Sequence, residues 1–189
     1  SLLNAFNYLN INTEITNNQK KLLNADMLFM PGVGAFDTGI KFLKKNNLID
    51  VISEATINKK KKILGICLGM QLMCNSSDEG LIKTGLSFFD INLIKFKKKK
   101  LKIPHMGFNK VENCKNFTLT KNIDKNYFYF AHSYFAKKKK LSKENKYLEC
   151  SYGDKFLAGI EKDNFFGLQF HPEKSQSNGI RVLENFYKL

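Results

Sequence analysis

Residues 63–71 read Ile63-Leu64-Gly65-Ile66-Cys67-Leu68-Gly69-Met70-Gln71, an apolar run with one cysteine between two glycines. The residues before Cys67 are typical of a buried strand and those after it of a helix, so the cysteine falls at a strand-to-helix junction. Glycines two residues to either side allow so sharp a turn without a side-chain collision. The layout predicts a nucleophile elbow with a strained backbone.

The start of the predicted helix would act on the cysteine sulfur. Its unpaired amides and the positive end of its dipole favour the thiolate over the thiol of Cys67. We expect the Leu68 amide to donate a hydrogen bond to an oxyanion that develops beside it. The pattern alone is equally consistent with a small buried cysteine, because free cysteine is one of the most buried residue types.

A second stretch, residues 165–173, provides a base for this cysteine. It reads Phe165-Phe166-Gly167-Leu168-Gln169-Phe170-His171-Pro172-Glu173 and ends an apolar strand. Since Pro172 blocks further ladder pairing, His171 and Glu173 can both project from the strand end toward one site. The sequence therefore predicts a catalytic triad of Cys67, His171 and Glu173, in which the carboxylate orients the imidazole and stabilises its charged form.

The other two histidines carry weaker signals. His105 follows Pro104 at a predicted turn, and His132 stands among strand-like aromatic residues, where a hydrogen-bonded core histidine is the default. Spacing alone does not choose among the three histidines. The carboxylate two residues after His171 favours that one.

The first half of the chain alternates strand, glycine-rich turn, helix and strand. We predict an opening amphipathic helix through Leu2, Leu3, Phe6 and Leu9, a strand over 26–30 stopped by Pro31-Gly32, a helix over 36–58 and a strand over 61–66. This alternation predicts a parallel sheet covered by helices on both faces.

The second half is dominated by short strand candidates, at 90–96, 108–112, 127–135, 147–151, 156–161 and 165–170. Gly153-Asp154 and Asn164 are hairpin signals between them. A closing helix is predicted with Ser177 as its cap and a buried stripe of Ile180, Leu183, Phe186 and Tyr187. We therefore expect one α/β domain over residues 1–189 with an added antiparallel part.

Composition excludes several classes of protein. The chain has 189 residues, of which 43% are hydrophobic, so it is not disordered. The net charge of +14 could attract nucleic acid or an anionic membrane, but Arg181 is the single arginine among 31 basic residues. The lysine runs at 59–62, 97–100 and 137–140 are typical of solvated turns. We expect neither a nucleic-acid nor a membrane partner.

The cysteines and histidines predict neither disulfides nor a metal site. Cys67, Cys74, Cys114 and Cys150 form no C-x-x-C pair, and the histidines lack ligand spacing with them. The longest apolar stretch, 63–74, is too short to cross a bilayer, and no signal peptide opens the sequence. These features predict a cytoplasmic protein in a reducing compartment.

Five motifs together resemble the glutaminase subunits of imidazole glycerol phosphate synthases, a branch of the class I triad glutamine amidotransferases. They are Pro31-Gly32-Val33-Gly34-Ala35-Phe36, Gly65-Ile66-Cys67-Leu68-Gly69-Met70-Gln71, His105-Met106-Gly107-Phe108-Asn109, His132-Ser133-Tyr134 and Gln169-Phe170-His171-Pro172-Glu173-Lys174-Ser175-Gln176. The resemblance covers nearly the whole chain. It implies a flavodoxin-like class I glutamine amidotransferase fold, with a central mostly parallel sheet, helices on both faces and an antiparallel part in the second half.

The resemblance also implies a reaction that needs no cofactor and no metal. Cys67 would attack the side-chain amide of glutamine, ammonia would leave with a proton from His171, and water would hydrolyse the glutamyl thioester. By position, the implied substrate-binding residues are Gln71, Glu79, His132, Ser133 and Tyr134. The amide of Val33 or Gly34 would join Leu68 in an oxyanion hole, although Gly32-Val33-Gly34 also fits an ordinary strand-to-helix turn.

The implied partner is a (β/α)8 barrel cyclase subunit in a heterodimer. The barrel would use the ammonia to make imidazole glycerol phosphate and AICAR in histidine biosynthesis. An alternative is a paralogous glutaminase that supplies ammonia for amidinating a nucleotide-activated sugar. A non-catalytic binding subunit is disfavoured by the intact triad, and a lysine-rich nucleic-acid module remains the third alternative.

Two departures from the family pattern bear on these expectations. Family members begin with a strand and a glycine-rich turn, whereas this sequence begins at Ser1 inside the first helix. We therefore expect about a dozen residues, including a strand of about five, to precede Ser1. Family members usually have Trp after His-Met-Gly, where this chain has Phe108, and the position is expected to face the barrel.

Overall fold

The computed structural model describes residues 1–97, 101–113, 116–137 and 141–189. The helices in these ranges are α1 (Leu2–Tyr8), α2 (Gln19–Asn24), α3 (Phe36–Lys45), α4 (Leu48–Ser53), α5 (Leu68–Leu72) and α6 (Gln176–Tyr187). The strands are β1 (Met27–Gly32), β2 (Lys62–Cys67), β3 (Cys74–Ser77), β4 (Phe89–Lys95), β5 (His105–Asn113), β6 (Tyr127–His132), β7 (Tyr134–Ala136), β8 (Lys146–Tyr152), β9 (Asp154–Lys162) and β10 (Phe165–Leu168). A π-helical turn, Glu54–Asn58, continues α4, and short 3-10 turns occupy Thr118–Thr120 and Pro172–Lys174.

The strands form two sheets. The larger has the order β1-β2-β10-β9-β8-β5-β6, and the smaller has the order β3-β4-β7. In the larger sheet β2 pairs in parallel with β1 and β10, and every other neighbouring pair is antiparallel across the described residues. The predicted α/β class with an antiparallel second half is confirmed, and the sheet is mixed, with a parallel part smaller than the expected majority.

Helices cover both faces of the larger sheet, as the alternation predicts. Side chains on successive residues of β2 point to opposite faces, so Ile63 joins one apolar cluster and Leu64 the other. Helices α1 and α6 pack on the Leu64 side, and α3, α4 and α5 pack on the Ile63 side. The core is therefore two apolar layers separated by the sheet.

Strand register brings three chain segments to one end of the parallel part. Gly32 of β1 pairs with Cys67 of β2, and Ile66 pairs with Leu168 of β10. The loop after β1, the elbow after β2 and the segment after β10 therefore leave the sheet side by side. Carboxyl ends of parallel strands are where ligand sites gather in α/β proteins.

The predicted helix over 36–58 is wrong in its continuity. It breaks between α3 and α4, where Asn47 has φ of +52° in the left-handed region. Asparagine tolerates this conformation, so the chain turns there while the apolar spacing on either side stays helical. Two elements were not predicted: α2 has no buried residue, and β3 is mostly polar.

The strand predictions of the second half hold with two corrections. The candidate at 127–135 is divided at Ser133 into β6 and β7, which belong to different sheets. His105 is the first residue of β5 and lies in no turn. Both hairpin predictions are confirmed, since Gly153 has φ of +69° between β8 and β9 and Asp163-Asn164 joins β9 to β10.

The closing helix begins earlier than predicted. Ser175, and not Ser177, precedes the first residue of α6. The Ser175 hydroxyl donates to the His171 carbonyl at 2.6 Å and accepts from the Tyr129 amide at 2.9 Å, so it ties the helix start to two neighbours. The buried face also differs, because Tyr187 is 51% exposed at the end of the helix.

Several sequence features fall at or beyond the described ranges. Lys59 and Lys60 are exposed in a turn, but Lys62 already belongs to β2, so this lysine run is only partly a turn. The lysines at 98–100 and 138–140 and the cysteine at 114 lie outside the described residues. Among the described helices, none has the length and apolar character needed to cross a membrane.

Candidate active site

The elbow at Cys67 has the strained geometry that its flanking glycines allow. Cys67 has φ of +52° and ψ of −108° between β2 and α5. A Cβ added at Gly69 would lie 1.6 Å from the Met30 carbonyl oxygen, and one at Gly65 would lie 2.7 Å from the Met70 amide nitrogen. Backbone atoms cannot yield to such contacts, so both positions require glycine.

The predicted base, His171, lies just beyond the end of the neighbouring parallel strand β10. The His171 side chain is 3% exposed, and its Nδ1 lies 2.8 Å from Oε1 of Glu173. The Cys67 side chain lies close enough to the ring to raise the pKa of His171, and both residues line the same cavity. The backbone amide of His171 donates to the Tyr129 carbonyl at 2.8 Å, which holds the backbone that carries the ring against β6. Cys67, His171 and Glu173 are thus brought into one chain of contacts.

Electrostatics favour a charged imidazole in this arrangement. Burial opposes the charge, but the hydrogen bonds and negative charges of Cys67 and Glu173 outweigh it and raise the pKa of His171 to about 9. Burial likewise opposes ionisation of Glu173, yet the His171 hydrogen bond and charge lower the pKa of that carboxyl. The carboxylate and the imidazolium therefore stabilise each other, and the ring has a proton to give.

These residues open into one cavity of about 260 Å³. Its lining includes every predicted site residue except Glu173, which contacts the far side of His171. The lining residues are Val33, Gly34, Cys67, Leu68, Gln71, Glu79, Pro104, Ala131, His132, Ser133, Tyr134, His171 and Lys174. The volume falls just below the range of about 300–1,000 Å³ typical of drug-sized ligands, which suits a smaller metabolite.

Three lining residues were not predicted. Pro104 directly precedes β5, Ala131 lies on the neighbouring strand β6, and Lys174 follows Glu173 of the predicted triad. The Lys174 ammonium lies 5.6 Å from the centre of the Tyr129 ring. Its place directly after Glu173 was the only signal in the sequence that could have identified it.

The proposed oxyanion donors lie at the same end of the sheet. Leu68 is the first residue of α5, and Val33 and Gly34 lie in the loop after β1. Gly34 has φ of +114° with open space around it, and Val33 is 80% exposed. All three residues line the cavity together with Cys67.

Glu79 has a structural contact as well as a cavity position. Its Oε2 accepts a hydrogen bond from the Phe36 amide at 2.9 Å, at the start of α3. A carboxylate there is stabilised by the unpaired amides of the helix start. Helix α3 therefore holds Glu79 at the cavity wall.

His105 and His132 form a buried pair. His132 Nδ1 lies 2.8 Å from the Tyr134 carbonyl oxygen, and its Nε2 lies 3.0 Å from His105 Nδ1. Burial lowers the pKa of His105 to about 4 and that of His132 to about 3. Both rings are therefore neutral near pH 7, and His132 combines the core role expected from the sequence with a position in the cavity lining.

The described residues contain no group of three or more His, Cys, Asp or Glu side chains arranged to hold a metal ion. The site is instead a cysteine, a charged imidazole and a carboxylate beside backbone amides. Such a set is suited to nucleophilic attack on an acyl carbon.

This fold and site define a class of protein. The sequence matches the family described as glutamine amidotransferase class-I over residues 1–189, and the chain belongs to that family. Its relatives include "Imidazole glycerol phosphate synthase subunit HisH 1" of Campylobacter jejuni strain RM1221, which is 44% identical over 191 residues, spanning 100% of this chain and 94% of the relative. "Imidazole glycerol phosphate synthase subunit HisH 2" of Methanococcus maripaludis strain S2 is 41% identical over 100% of this chain and 93% of its own length.

Solved structures agree on the fold. A crystal structure titled as a glutamine amidotransferase aligns with a TM-score of 0.74 over 98% of this chain and 89% of its own, at 15% identity. A glutamine amidotransferase from Thermotoga maritima aligns with a TM-score of 0.63 over 99% of this chain and 76% of its own, at 17% identity.

Proposed function

We propose that this chain is the glutaminase subunit of an imidazole glycerol phosphate synthase and hydrolyses glutamine through Cys67, His171 and Glu173. The observation that carries the proposal is the contact between Cys67 and a charged His171 at the wall of the cavity, with Glu173 2.8 Å behind the ring. The names of full-length relatives at 41–44% identity support the particular synthase.

The first half of the reaction forms a thioester. The Cys67 sulfur attacks the side-chain amide carbon of glutamine, and the carbonyl oxygen becomes an oxyanion that accepts hydrogen bonds from the amide of Leu68 and that of Val33 or Gly34. His171 gives its proton to the nitrogen. The carbon–nitrogen bond then breaks, so ammonia leaves and the glutamyl group stays on sulfur.

The second half regenerates the enzyme. His171, now neutral, takes a proton from a water molecule as the water attacks the thioester carbon. The carbon–sulfur bond breaks, glutamate is released and the sulfur leaves as a thiolate beside the recharged ring. Throughout the cycle Glu173 keeps the Nδ1 proton in place, so that Nε2 is the atom that exchanges protons.

The cavity walls support recognition of a free amino acid. The predicted substrate-binding residues line it together with Cys67 and His171, and they are Gln71, Glu79, His132, Ser133 and Tyr134. Glu79 supplies a carboxylate for the substrate's ammonium group. Burial, with the charges of Glu79 and Asp78, raises the pKa of Tyr134, so its phenol stays protonated and can donate a hydrogen bond.

An exposed apolar rim beside the cavity supports a protein partner. Met106 is 63% exposed and Phe108 is 49% exposed on β5, close to Pro104 of the cavity lining, and Val33 is 80% exposed. Large apolar side chains exposed together are typical of interfaces. We propose that a (β/α)8 barrel cyclase subunit covers this rim in a heterodimer and receives the ammonia.

The test measures glutamate release with and without candidate partners. When the barrel cyclase is added together with its phosphoribulosyl-formimino-aminoimidazole-carboxamide nucleotide, we expect strong stimulation and formation of imidazole glycerol phosphate. Campylobacter jejuni strain RM1221 has two relatives with this subunit name, at 44% and 42% identity, so the partner must be assayed directly. Stimulation only by a sugar-amidinating partner would identify the paralogous role instead, and equal rates with and without any partner would refute the coupled role.

A further inference from the structure

Gln169 is a fully buried polar side chain that the mechanism above does not use. It lies between β10 and His171 and is 0% exposed. Its Nε2 lies 3.8 Å from the Cys67 sulfur, within hydrogen-bonding distance for that larger atom. Its Oε1 lies 3.1 Å from Nε2 of Gln71. Gln169 therefore touches the reacting atom from inside the protein.

The orientation of this amide is fixed by a backbone carbonyl. Nε2 of Gln71 lies 3.2 Å from the Tyr134 carbonyl oxygen, which can only accept a hydrogen bond. The NH2 group of Gln71 must therefore face Tyr134 and Gln169 together, so Gln169 presents its oxygen to Gln71. The NH2 group of Gln169 is then left facing the sulfur.

The same carbonyl is held by a second donor. His132 Nδ1 lies 2.8 Å from the Tyr134 oxygen, and because the ring is neutral and faces a carbonyl, its proton is on Nδ1. Reversing the Gln169 amide would oppose two NH2 groups and place an oxygen against the sulfur. The surrounding network thus admits one orientation of Gln169.

The two contacts of the sulfur on this side favour different protonation states. The Ala131 carbonyl oxygen, 3.9 Å from the sulfur, can accept a hydrogen bond only from a thiol. The Gln169 NH2 group is a donor, and a buried hydrogen bond to an anion is about twice as strong as one between neutral groups. Gln169 therefore favours the thiolate.

We propose that Gln169 is a further catalytic residue, whose side-chain N–H donates to the Cys67 thiolate while Gln71 positions that donor. The inference rests on the proposed role of Cys67 as nucleophile. The Gln169 N–H would stabilise the sulfur at two steps of the cycle. The first is before attack, when the sulfur must be anionic, and the second is hydrolysis of the thioester, when the sulfur leaves as an anion.

The test follows alkylation of Cys67 by iodoacetamide against pH, because only the thiolate reacts. Reaction at the Cys67 peptide is measured by mass spectrometry, with the Cys67→Ala protein as the blank. In Gln169→Met, which keeps the length of the side chain and removes the donor, we expect the midpoint to rise by about one pH unit, the shift that one hydrogen bond to a charged group is worth. In Gln169→Glu we expect a larger rise, because a carboxylate then faces the sulfur.

Gln71→Met is the second variant, and it leaves Gln169 in place. Without Gln71 the Gln169 amide can rotate away, so we expect a smaller rise in the midpoint. Thr56→Val is the matched control: Thr56 is also 0% exposed and its hydroxyl donates to the Ile52 carbonyl at 2.7 Å, at the opposite end of β2. It should lower thermal stability and leave the midpoint unchanged.

The outcomes separate this inference from the proposed function. If the unaltered chain hydrolyses glutamine and the midpoint stays constant in folded Gln169→Met and Gln169→Glu proteins, Gln169 is only a packing residue and the inference is overturned. If either Gln169 variant fails to fold, the same criterion applies to Gln71→Met. An unchanged midpoint in that folded variant overturns the inference. If the unaltered chain neither turns over glutamine nor shows reactive Cys67, the proposed function fails first.

Discussion

Nδ1 of His171 lies 2.8 Å from Oε1 of Glu173, two residues further along the chain across Pro172. The imidazole and the carboxylate thus come from one short segment, and the contact between them needs no long-range pairing. Cys67, the third residue of the predicted triad, comes from a different strand, β2, and the pairing of β2 with β10 brings it to the same end of the sheet.

Replacing Glu173 with Gln should disable the base with little change in fold. The amide cannot stabilise the imidazolium and can hold the ring in the wrong tautomer, so glutamine turnover should fall by roughly 10²- to 10⁴-fold. Glutamate release measures this. Glu184→Gln is the matched control, since that carboxylate pairs with Arg181 and Lys188 on α6, and its turnover should be unchanged.

Replacing Cys67 with Ala should abolish glutamine hydrolysis and retain the fold. The variant loses the nucleophile, so turnover should fall to background while the circular dichroism spectrum stays the same. Cys150→Ser is the comparison, because burial raises the pKa of the Cys150 thiol to about 12 and leaves it protonated and inert. Unchanged turnover in Cys67→Ala would refute the assignment.

Acid should destabilise the protein through the His105–His132 pair. Burial lowers the pKa from 6.5 to about 4 for His105 and to about 3 for His132. Near pH 6 the two rings therefore bind protons in the unfolded chain and remain neutral in the folded chain. The stabilising contribution of the neutral rings is therefore fully present above pH 6.5. Below that pH the free energy of unfolding falls by about 1.4 kcal/mol per pH unit for each ring. Denaturant unfolding at pH 7, 6, 5 and 4.5 measures the slope.

His105→Phe should roughly halve the slope of the free energy of unfolding against pH, because only one of the two rings then takes up a proton on unfolding. Phenylalanine fits the stack of His105 between Phe130 and Tyr152, at 4.7 and 4.0 Å between ring centres. His171 behaves oppositely: its raised pKa makes a contribution that is present below pH 6.5 and lost as the pH rises through about 9. An unchanged acid slope in His105→Phe would contradict the buried neutral pair.

Gly69→Ala should prevent the elbow from forming. The added methyl would lie 1.6 Å from the Met30 carbonyl oxygen, so β1 and α5 could not both keep their places, and we expect a loss of stability above about 3 kcal/mol or an insoluble protein. Gly39→Ala is the control in α3. The nearest atoms to its methyl are side-chain carbons of Leu72 at 3.0 Å and of Leu68 at 3.5 Å, and the gain in helix propensity of about 1 kcal/mol offsets those contacts. Equal melting temperatures of the two variants would count against this account of the elbow.

Phe108→Asp should weaken the proposed partner without unfolding the chain. A charge on the exposed rim would oppose burial by the barrel, so stimulation of glutamine hydrolysis should need at least about tenfold more partner. Tyr187→Asp is matched in exposure, at 51% against 49%, and lies at the far end of α6. Helix α6 has 12 residues, so its far end lies about 18 Å along the helix axis from its first residue, Gln176. Equal stimulation in both variants would place the interface elsewhere.

Local sequence was enough to predict the parts of the site that local geometry builds. The elbow follows from glycines around one cysteine, and the His171–Glu173 contact follows from two residues flanking a proline. The parallel pairing that unites them was predictable from the alternation of strands and helices.

Contacts between distant segments were not predictable in this way. His105 and His132 are neighbours because β5 and β6 pair at that register, and His105 was expected in a turn. The orientation of Gln169 depends on a carbonyl of β7, and the sequence predicted β6 and β7 as one strand. Likewise, Ser175 starts α6 because it bonds to both His171 and Tyr129, contacts that no spacing rule contains.

Because Ile66 and Leu168 are paired, Cys67 and His171 stand one and three residues beyond the same rung of the sheet. The separation of these two residues is therefore set by the pairing of β2 with β10, while Val33, Gly34 and Glu79 belong to loops. A change in these loops around an incoming amino acid or a docking partner would therefore alter the cavity without altering the strand pairing that sets the distance between the sulfur and the imidazole.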